Sequence, residues 1–161
     1  MIIKHIGNID VGPILNSFFE LDKDIKWSMN IQGKQTGLQY RPGEDPWTSA
    51  VGKSTGGETQ YTDLNPFFKN TIFENIINEY DLKRTRLMWV FPKSCYSLHQ
   101  DETPRIHIPL ITNPECYFLF NPGLLRHLDI NSIWWVNTKL KHTFLNCSEE
   151  PRLHLVGIVK N

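Results

Sequence analysis

The residues whose types and spacing could carry chemistry fall in the second half of the chain. His99-Gln100-Asp101 sets an imidazole and a carboxylate two positions apart. In an extended segment side chains alternate between faces, so positions i and i+2 point the same way. The pair is therefore aimed at one point, and His142 adds a second imidazole from a different segment. Two His and one carboxylate form the ligand set that holds non-haem iron(II) and leaves coordination positions open. A bidentate 2-oxo acid can take two of those positions and dioxygen the third. Alone, the His-x-Asp pattern is weak, because it equally fits a surface turn in which Asp101 accepts from a backbone N–H.

The neighbouring text adds weight. Arg105-Ile106-His107 puts two polar side chains on one face of a strand, while Ile106 and Ile108 face the other way. Arg152-Leu153-His154-Leu155 repeats the pattern. A buried-type strand carries an inward Arg only with a partner, because an unpaired buried charge is costly. An anionic cosubstrate is such a partner, and a guanidinium is shaped to hold a carboxylate through two parallel hydrogen bonds. His154 shares the face of Arg152 and reads either as a support for the site or as a hydrogen-bonded core residue. His5 and His127 lack partners in the sequence and read as surface or core residues.

Strands must position these residues. LMWVF (87–91), RIHIPLI (105–111), CYFLF (116–120), SIWWVN (132–137), HTFLN (142–146) and RLHLVGIV (152–159) are rich in β-branched and aromatic residues. Turn signals such as Asn113-Pro114 and Asn121-Pro122-Gly123 separate them. Short strands at this spacing predict an antiparallel sandwich or barrel, of which a jelly roll is one solution. The first half is mixed. Residues 2–6 and 36–41 are expected strands, and 11–22 an expected helix. Residues 42–62, with Pro, Gly, Ser and Thr in number, predict a long loop able to serve as a lid or binding surface. Gly52-Lys53-Ser54-Thr55 lacks the earlier glycine of a phosphate-binding loop, since Trp47 stands there. Residues 64–80 predict one helix, with Asn65 as cap, Pro66 in the first turn, and Phe68, Ile72, Phe73, Ile76 and Ile77 along one face. The five tryptophans read mostly as core packing.

The 161 residues suit one domain: 1–86 as a supporting and covering region, and 87–161 as the core with the metal site. Lys plus Arg equals Asp plus Glu at 17 each, which argues against a nucleic-acid or membrane-surface partner. No apolar run approaches a membrane span, and residues 1–10 have no apolar signal-peptide region. The three separated cysteines read as reduced thiols of a cytoplasmic protein. The expected partner is a small molecule or peptide; oligomeric state is not readable.

The stretch from about Leu87 to Val159 resembles the aspartyl/asparaginyl β-hydroxylase family, which is similar to small proline cis-hydroxylases. The matching text is His99-Gln100-Asp101, Arg105-Ile106-His107 leading into Pro109-Leu110, Trp134-Trp135-Val136-Asn137, His142-Thr143-Phe144-Leu145-Asn146, and Pro151-Arg152-Leu153-His154-Leu155-Val156. The resemblance implies a mainly β double-stranded β-helix (jelly roll, cupin-like) with a few N-terminal helices packed outside. It implies iron(II), 2-oxoglutarate and dioxygen as cofactors and cosubstrates, and hydroxylation of an amino-acid unit, free or in a peptide. His99, Asp101 and His142 would bind iron, Arg152 would pair with the distal carboxylate of 2-oxoglutarate, and Arg105 and His107 would lie beside the cosubstrate. Some relatives replace the carboxylate ligand with Gly, whereas this chain keeps Asp101. Where some relatives use a Ser to contact the cosubstrate, this chain has Met88. The competing reading is a cupin-like metal- or sugar-binding module without oxygenase activity. The Arg105/Arg152 pair separates the two, because a plain cupin needs no carboxylate clamp.

Overall fold

The computed structural model describes residues 1–54 and 56–159. Thirteen strands and two helices follow in order: β1 (Ile3–Asn8), α1 (Gly12–Leu21), β2 (Ser28–Met29), β3 (Gly33–Gly37), β4 (Gln39–Tyr40), β5 (Asp63–Leu64), α2 (Ile72–Glu79), β6 (Leu82–Val90), β7 (Ser94–Cys95), β8 (Arg105–Ile111), β9 (Cys116–Phe120), β10 (Leu124–Arg126), β11 (Ser132–Val136), β12 (His142–Asn146) and β13 (Arg152–Val159). They form a seven-stranded sheet, β1-β11-β8-β13-β6-β3-β2, a four-stranded sheet, β10-β9-β12-β7, and a small β4-β5 pair. From β6 onward, successive strands are shared between the two larger sheets, and every named pairing is antiparallel. This is a jelly roll, extended on one edge by β1 and on the other by β3 and β2.

Period-2 alternation divides the seven-stranded sheet between two cores. On β13, Leu153 and Leu155 face outward, while Arg152, His154 and Val156 face the other sheet. On the outer face Leu87, Ile106, Ile108, Leu153 and Leu155 pack with Phe18 of α1 and Phe73, Ile76 and Ile77 of α2. On the inner face Met88, Val90 and Val156 meet Phe118, Phe120 and Phe144 of the smaller sheet. Both faces of the central strands are covered, the outer one mainly apolar and the inner one carrying buried Arg and His among its apolar residues. The five tryptophans are partly buried against these cores. At Gly33, a Cβ would lie 1.9 Å from the Trp89 carbonyl oxygen, so only glycine lets β3 approach β6 here.

Several expected boundaries shift. The single helix over 64–80 is instead a 3-10 turn at Pro66–Phe68 followed by α2. Asn65 does cap that turn by accepting from the Phe67 N–H at 3.1 Å. Asn70, at φ 61°, and extended Thr71 then break the chain before α2 starts. The face holds nonetheless: Phe68, Phe73, Ile76 and Ile77 are buried. The strand over 36–41 is two strands, β3 and β4, interrupted at Leu38. The strand over 87–91 begins earlier, at Leu82, because the polar run Lys83-Arg84-Thr85-Arg86 is part of it. Among the described residues no helix is long and apolar enough to cross a membrane. The cysteines are free, Cys116 buried and the other two exposed.

Candidate metal centre

Backbone pairing sets the three candidate ligands. His99 and His142 form an isolated antiparallel bridge, each donating its N–H to the other's carbonyl at 2.9 Å. Two residues on, the Asp101 N–H donates to the Thr138 carbonyl at 2.9 Å. The ligand atoms of His99, Asp101 and His142 consequently all lie within 4.8 Å of one another, the one such cluster of His, Cys, Asp and Glu among the described residues. The imidazole centroids are 4.5 Å apart, and His142 Nε2 is 3.8 Å from Asp101 Oδ2.

The tautomers follow from the neighbours. His99 Nδ1 meets the Ser97 carbonyl at 2.7 Å, and His142 Nδ1 meets the Leu140 carbonyl at 2.8 Å. A carbonyl only accepts, so each Nδ1 carries the proton and each Nε2 keeps a free lone pair. Burial holds the His142 pKa below the usual histidine value against the opposing pull of the Leu140 carbonyl, which favours the neutral ring a metal requires. Asp101 Oδ1 is 3.0 Å from Arg105 Nη2, leaving Oδ2 toward the histidines.

Arg105 is itself gripped. Its Nη1 donates to Glu58 Oε2 at 2.9 Å and to the carbonyl and hydroxyl of Thr103, and its Nη2 donates to Glu58 Oε1 at 2.6 Å. Glu58 also takes Arg84 Nη1 and the Thr103 hydroxyl. Burial alone raises the Glu58 carboxyl, but hydrogen bonds and charge from Arg105, with help from Thr103 and Arg84, outweigh it and bring it down to about 2. Arg105 therefore lies beside Asp101, with its donors taken by Glu58, Thr103 and Asp101. Glu58, Arg84 and Arg86 were not singled out from the sequence. The available signal was period-2 continuation of β6 backward from Met88 through Arg86 to Arg84. Glu58 gave none, standing in the predicted loop in a 3-10 turn over Glu58–Gln60.

His107 and His154 face each other with Nδ1 atoms 3.3 Å apart, and His154 Nδ1 lies 3.0 Å from Arg152 Nη2. Burial, then the nearby guanidinium of Arg152, pushes both histidines well below their usual pKa, so the pair is neutral. Arg152 is 2% exposed and has no carboxylate partner among the described residues. Its Nε has no hydrogen-bond partner, and burial pushes its pKa down to about 10. Its guanidinium carbon is 4.8 Å from the Phe144 ring centroid and 5.8 Å from that of Phe118.

The candidate ligands, Glu58, Arg105 and His107 line a cavity of about 660 Å³. Its lining also includes Met88, with Phe118, Phe144 and Val156 as apolar wall. Arg152, which lies over the Phe118 and Phe144 rings, and His154 are not part of that lining, and the 42–62 loop supplies Gly52, Lys53, Ser54 and Glu58. Thr55 of the glycine-lysine segment lies outside the described residues.

Fold and site together define a jelly-roll protein with a two-histidine, one-carboxylate cluster lining a cavity between the sheets' inner faces and the 42–62 loop. Two solved structures share the architecture. An oxidoreductase of the 2OG-Fe(II) oxygenase family from Burkholderia pseudomallei aligns with a TM-score of 0.66 over 97% of this chain and 82% of that one, at 12% identity. A prolyl-4-hydroxylase from Pseudomonas putida aligns with a TM-score of 0.51 over 97% of this chain and 90% of that one, also at 12% identity. At that identity the likeness establishes the fold. No family model matches the sequence, and no curated protein matches it.

Proposed function

We propose that this protein is an iron(II)- and 2-oxoglutarate-dependent dioxygenase that hydroxylates an amino-acid unit, free or within a peptide. The observation that carries the proposal is the convergence of His99, Asp101 and His142, with both Nδ1 atoms tied to carbonyls, on the wall of a jelly-roll cavity. Two neutral imidazoles and one carboxylate suit iron(II), and three ligands leave room for a cosubstrate. The buried, acid-free guanidinium of Arg152 suits the distal carboxylate of 2-oxoglutarate.

When bound, iron with 2-oxoglutarate and dioxygen supplies the oxidation: one oxygen atom enters the substrate C–H bond and the other enters succinate as carbon dioxide leaves. The chain's own residues bind and orient. Arg105, braced by Glu58, fixes which oxygen of Asp101 faces the histidines. The neutral His107–His154 pair offers hydrogen bonding beside Arg152 without a competing charge. Phe118, Phe144, Met88 and Val156 exclude water from the cavity wall. Three separated free thiols suit a reducing compartment such as the cytoplasm.

The test is to load the purified protein with iron(II), titrate 2-oxoglutarate by calorimetry, and assay succinate release with a panel of free amino acids and peptides. Iron-dependent 2-oxoglutarate binding and substrate-stimulated succinate are expected. Absence of both would leave a metal-binding module without oxygenase activity.

A further inference from the structure

Arg86 is the buried charged group of the cavity lining that the site has not used, Lys53 and Glu102 there being exposed. It lies on β6, is 6% exposed, and lines the cavity beside Gln35 of β3. Its Nη1 donates to Gln35 Oε1 at 3.1 Å, its Nε has no hydrogen-bond partner, and among the described residues no carboxylate pairs with it. The neighbouring buried cations are matched: Glu58 takes Arg84 and Arg105, and Arg105 also meets Asp101. Burial, then the charges of Arg84 and Arg105, pushes the Arg86 guanidinium well below its ordinary pKa. A buried, unpaired charge is costly, so a fold that keeps one calls for a partner from outside.

The ligands already proposed do not supply that partner. The metal's two charges are met by Asp101 and the 2-oxo carboxylate, and the distal carboxylate goes to Arg152. Arg152 sits opposite Val90, and Arg86 opposite Val156, so the two arginines stand four positions apart along the inner face of the sheet. At about 3.3 Å per residue that is roughly 13 Å, which makes them separate anchor points. Gln35 adds to the second one. Arginine only donates, so the Gln35 carbonyl must face Arg86, and its amide N–H donors point elsewhere. A guanidinium beside a carboxamide N–H is a donor set for a carboxylate.

We propose that Arg86 and Gln35 form a second carboxylate-binding subsite, and that the molecule hydroxylated here is an acid that presents a free carboxylate to this wall. The subsite stands on the geometry of Arg86 and Gln35; its use by the hydroxylated molecule rests on the oxygenase reading.

The experiment uses iron(II)-loaded wild type, R86M and R86K. One arm titrates 2-oxoglutarate. The other, at saturating 2-oxoglutarate, measures melting temperature and calorimetric affinity for the twenty L-amino acids, each as free acid and as α-amide. At least one free acid should raise the melting temperature where its α-amide does not. R86M should weaken that acid by about tenfold or more, R86K should recover part of the loss, and 2-oxoglutarate affinity should stay within about twofold. Retained binding by the α-amides of aspartate or glutamate alone would assign the carboxylate to a side chain rather than the α position. The subsite is overturned if acids and amides behave alike, if no acid binds, or if ligand-free R86M melts well below wild type and R86K restores it, which marks a structural arginine. A loss of 2-oxoglutarate affinity in R86M overturns the substrate assignment and gives Arg86 to the cosubstrate. If wild type binds no 2-oxoglutarate but still prefers an acid over its amide, the oxygenase reading fails and the carboxylate subsite stands.

Discussion

Whether His99 and His142 can ligate a metal turns on two backbone carbonyls. The Ser97 and Leu140 oxygens fix both tautomers with Nε2 unprotonated, and that of His142 faces Asp101 Oδ2. H142A should therefore abolish iron(II) binding, since two ligands are too few for a stable site, and retained affinity in a calorimetric titration would move the site elsewhere. R152M should leave iron binding intact but weaken 2-oxoglutarate by about 10- to 100-fold, the loss of hydrogen bonding to a charged group worth about 1.5–3 kcal/mol. An unchanged cosubstrate titration would end that assignment. These residues were legible in the sequence because strand alternation is strict. His-x-Asp, Arg-x-His and Arg-x-His again each place two side chains on one face. Which donors each arginine has left over was not legible, because Glu58 reaches Arg105 from 47 positions away.

At the scale of elements, one loop residue ties two strands together. Glu58 bridges Arg84 on β6 and Arg105 on β8, all three buried. It enters its 3-10 turn through Gly57 at φ 66°, where a Cβ would also meet the Gln60 side chain at 2.7 Å. E58Q would leave two buried guanidiniums without their shared anion. It should cost about 3–5 kcal/mol in denaturant unfolding at neutral pH and loosen Asp101, weakening iron binding. The carboxyl sits at about 2 in the folded chain against an ordinary 4.5, so its contribution to stability is complete above 4.5 and is lost as pH falls toward 2. The gap between wild type and E58Q should narrow over that window, and a gap independent of pH would refute the ion-pair account. β8, β9, β12 and β13 could be bounded from sequence because apolar alternation and turn residues coincide there. The start of β6 could not, since Lys83-Arg84-Thr85-Arg86 has no apolar residue to mark a strand. The helix over 64–80 misled for the opposite reason. Its apolar spacing survives a local break, so periodicity alone cannot see Asn70 turn left-handed.

Over the whole molecule, the seven-stranded sheet separates support from chemistry. Its outer face is sealed by α1 and α2, and its inner face carries the arginines, the histidine pair and the cavity. Stability and ligand binding should therefore respond to different substitutions. Phe73 of α2 is fully buried, with its ring 5.5 Å from that of Phe68, on the far side of the sheet from the ligands. F73A should cost about 3–5 kcal/mol through lost burial and the cavity left behind. For a domain of this size each kcal/mol is worth about 2–4 °C, so the melting temperature should fall by roughly 6–20 °C. Well below that temperature, iron(II) affinity should match wild type, and a concentration of iron 100 times the dissociation constant should add about 2.7 kcal/mol to both proteins. H99A, at the partly exposed imidazole ligand, should behave inversely, melting near wild type without iron and gaining nothing from it. Thermal unfolding of the three proteins with and without iron(II) checks this. If F73A lost iron affinity along with stability, the two faces of the sheet would be energetically coupled and the division of labour would not hold.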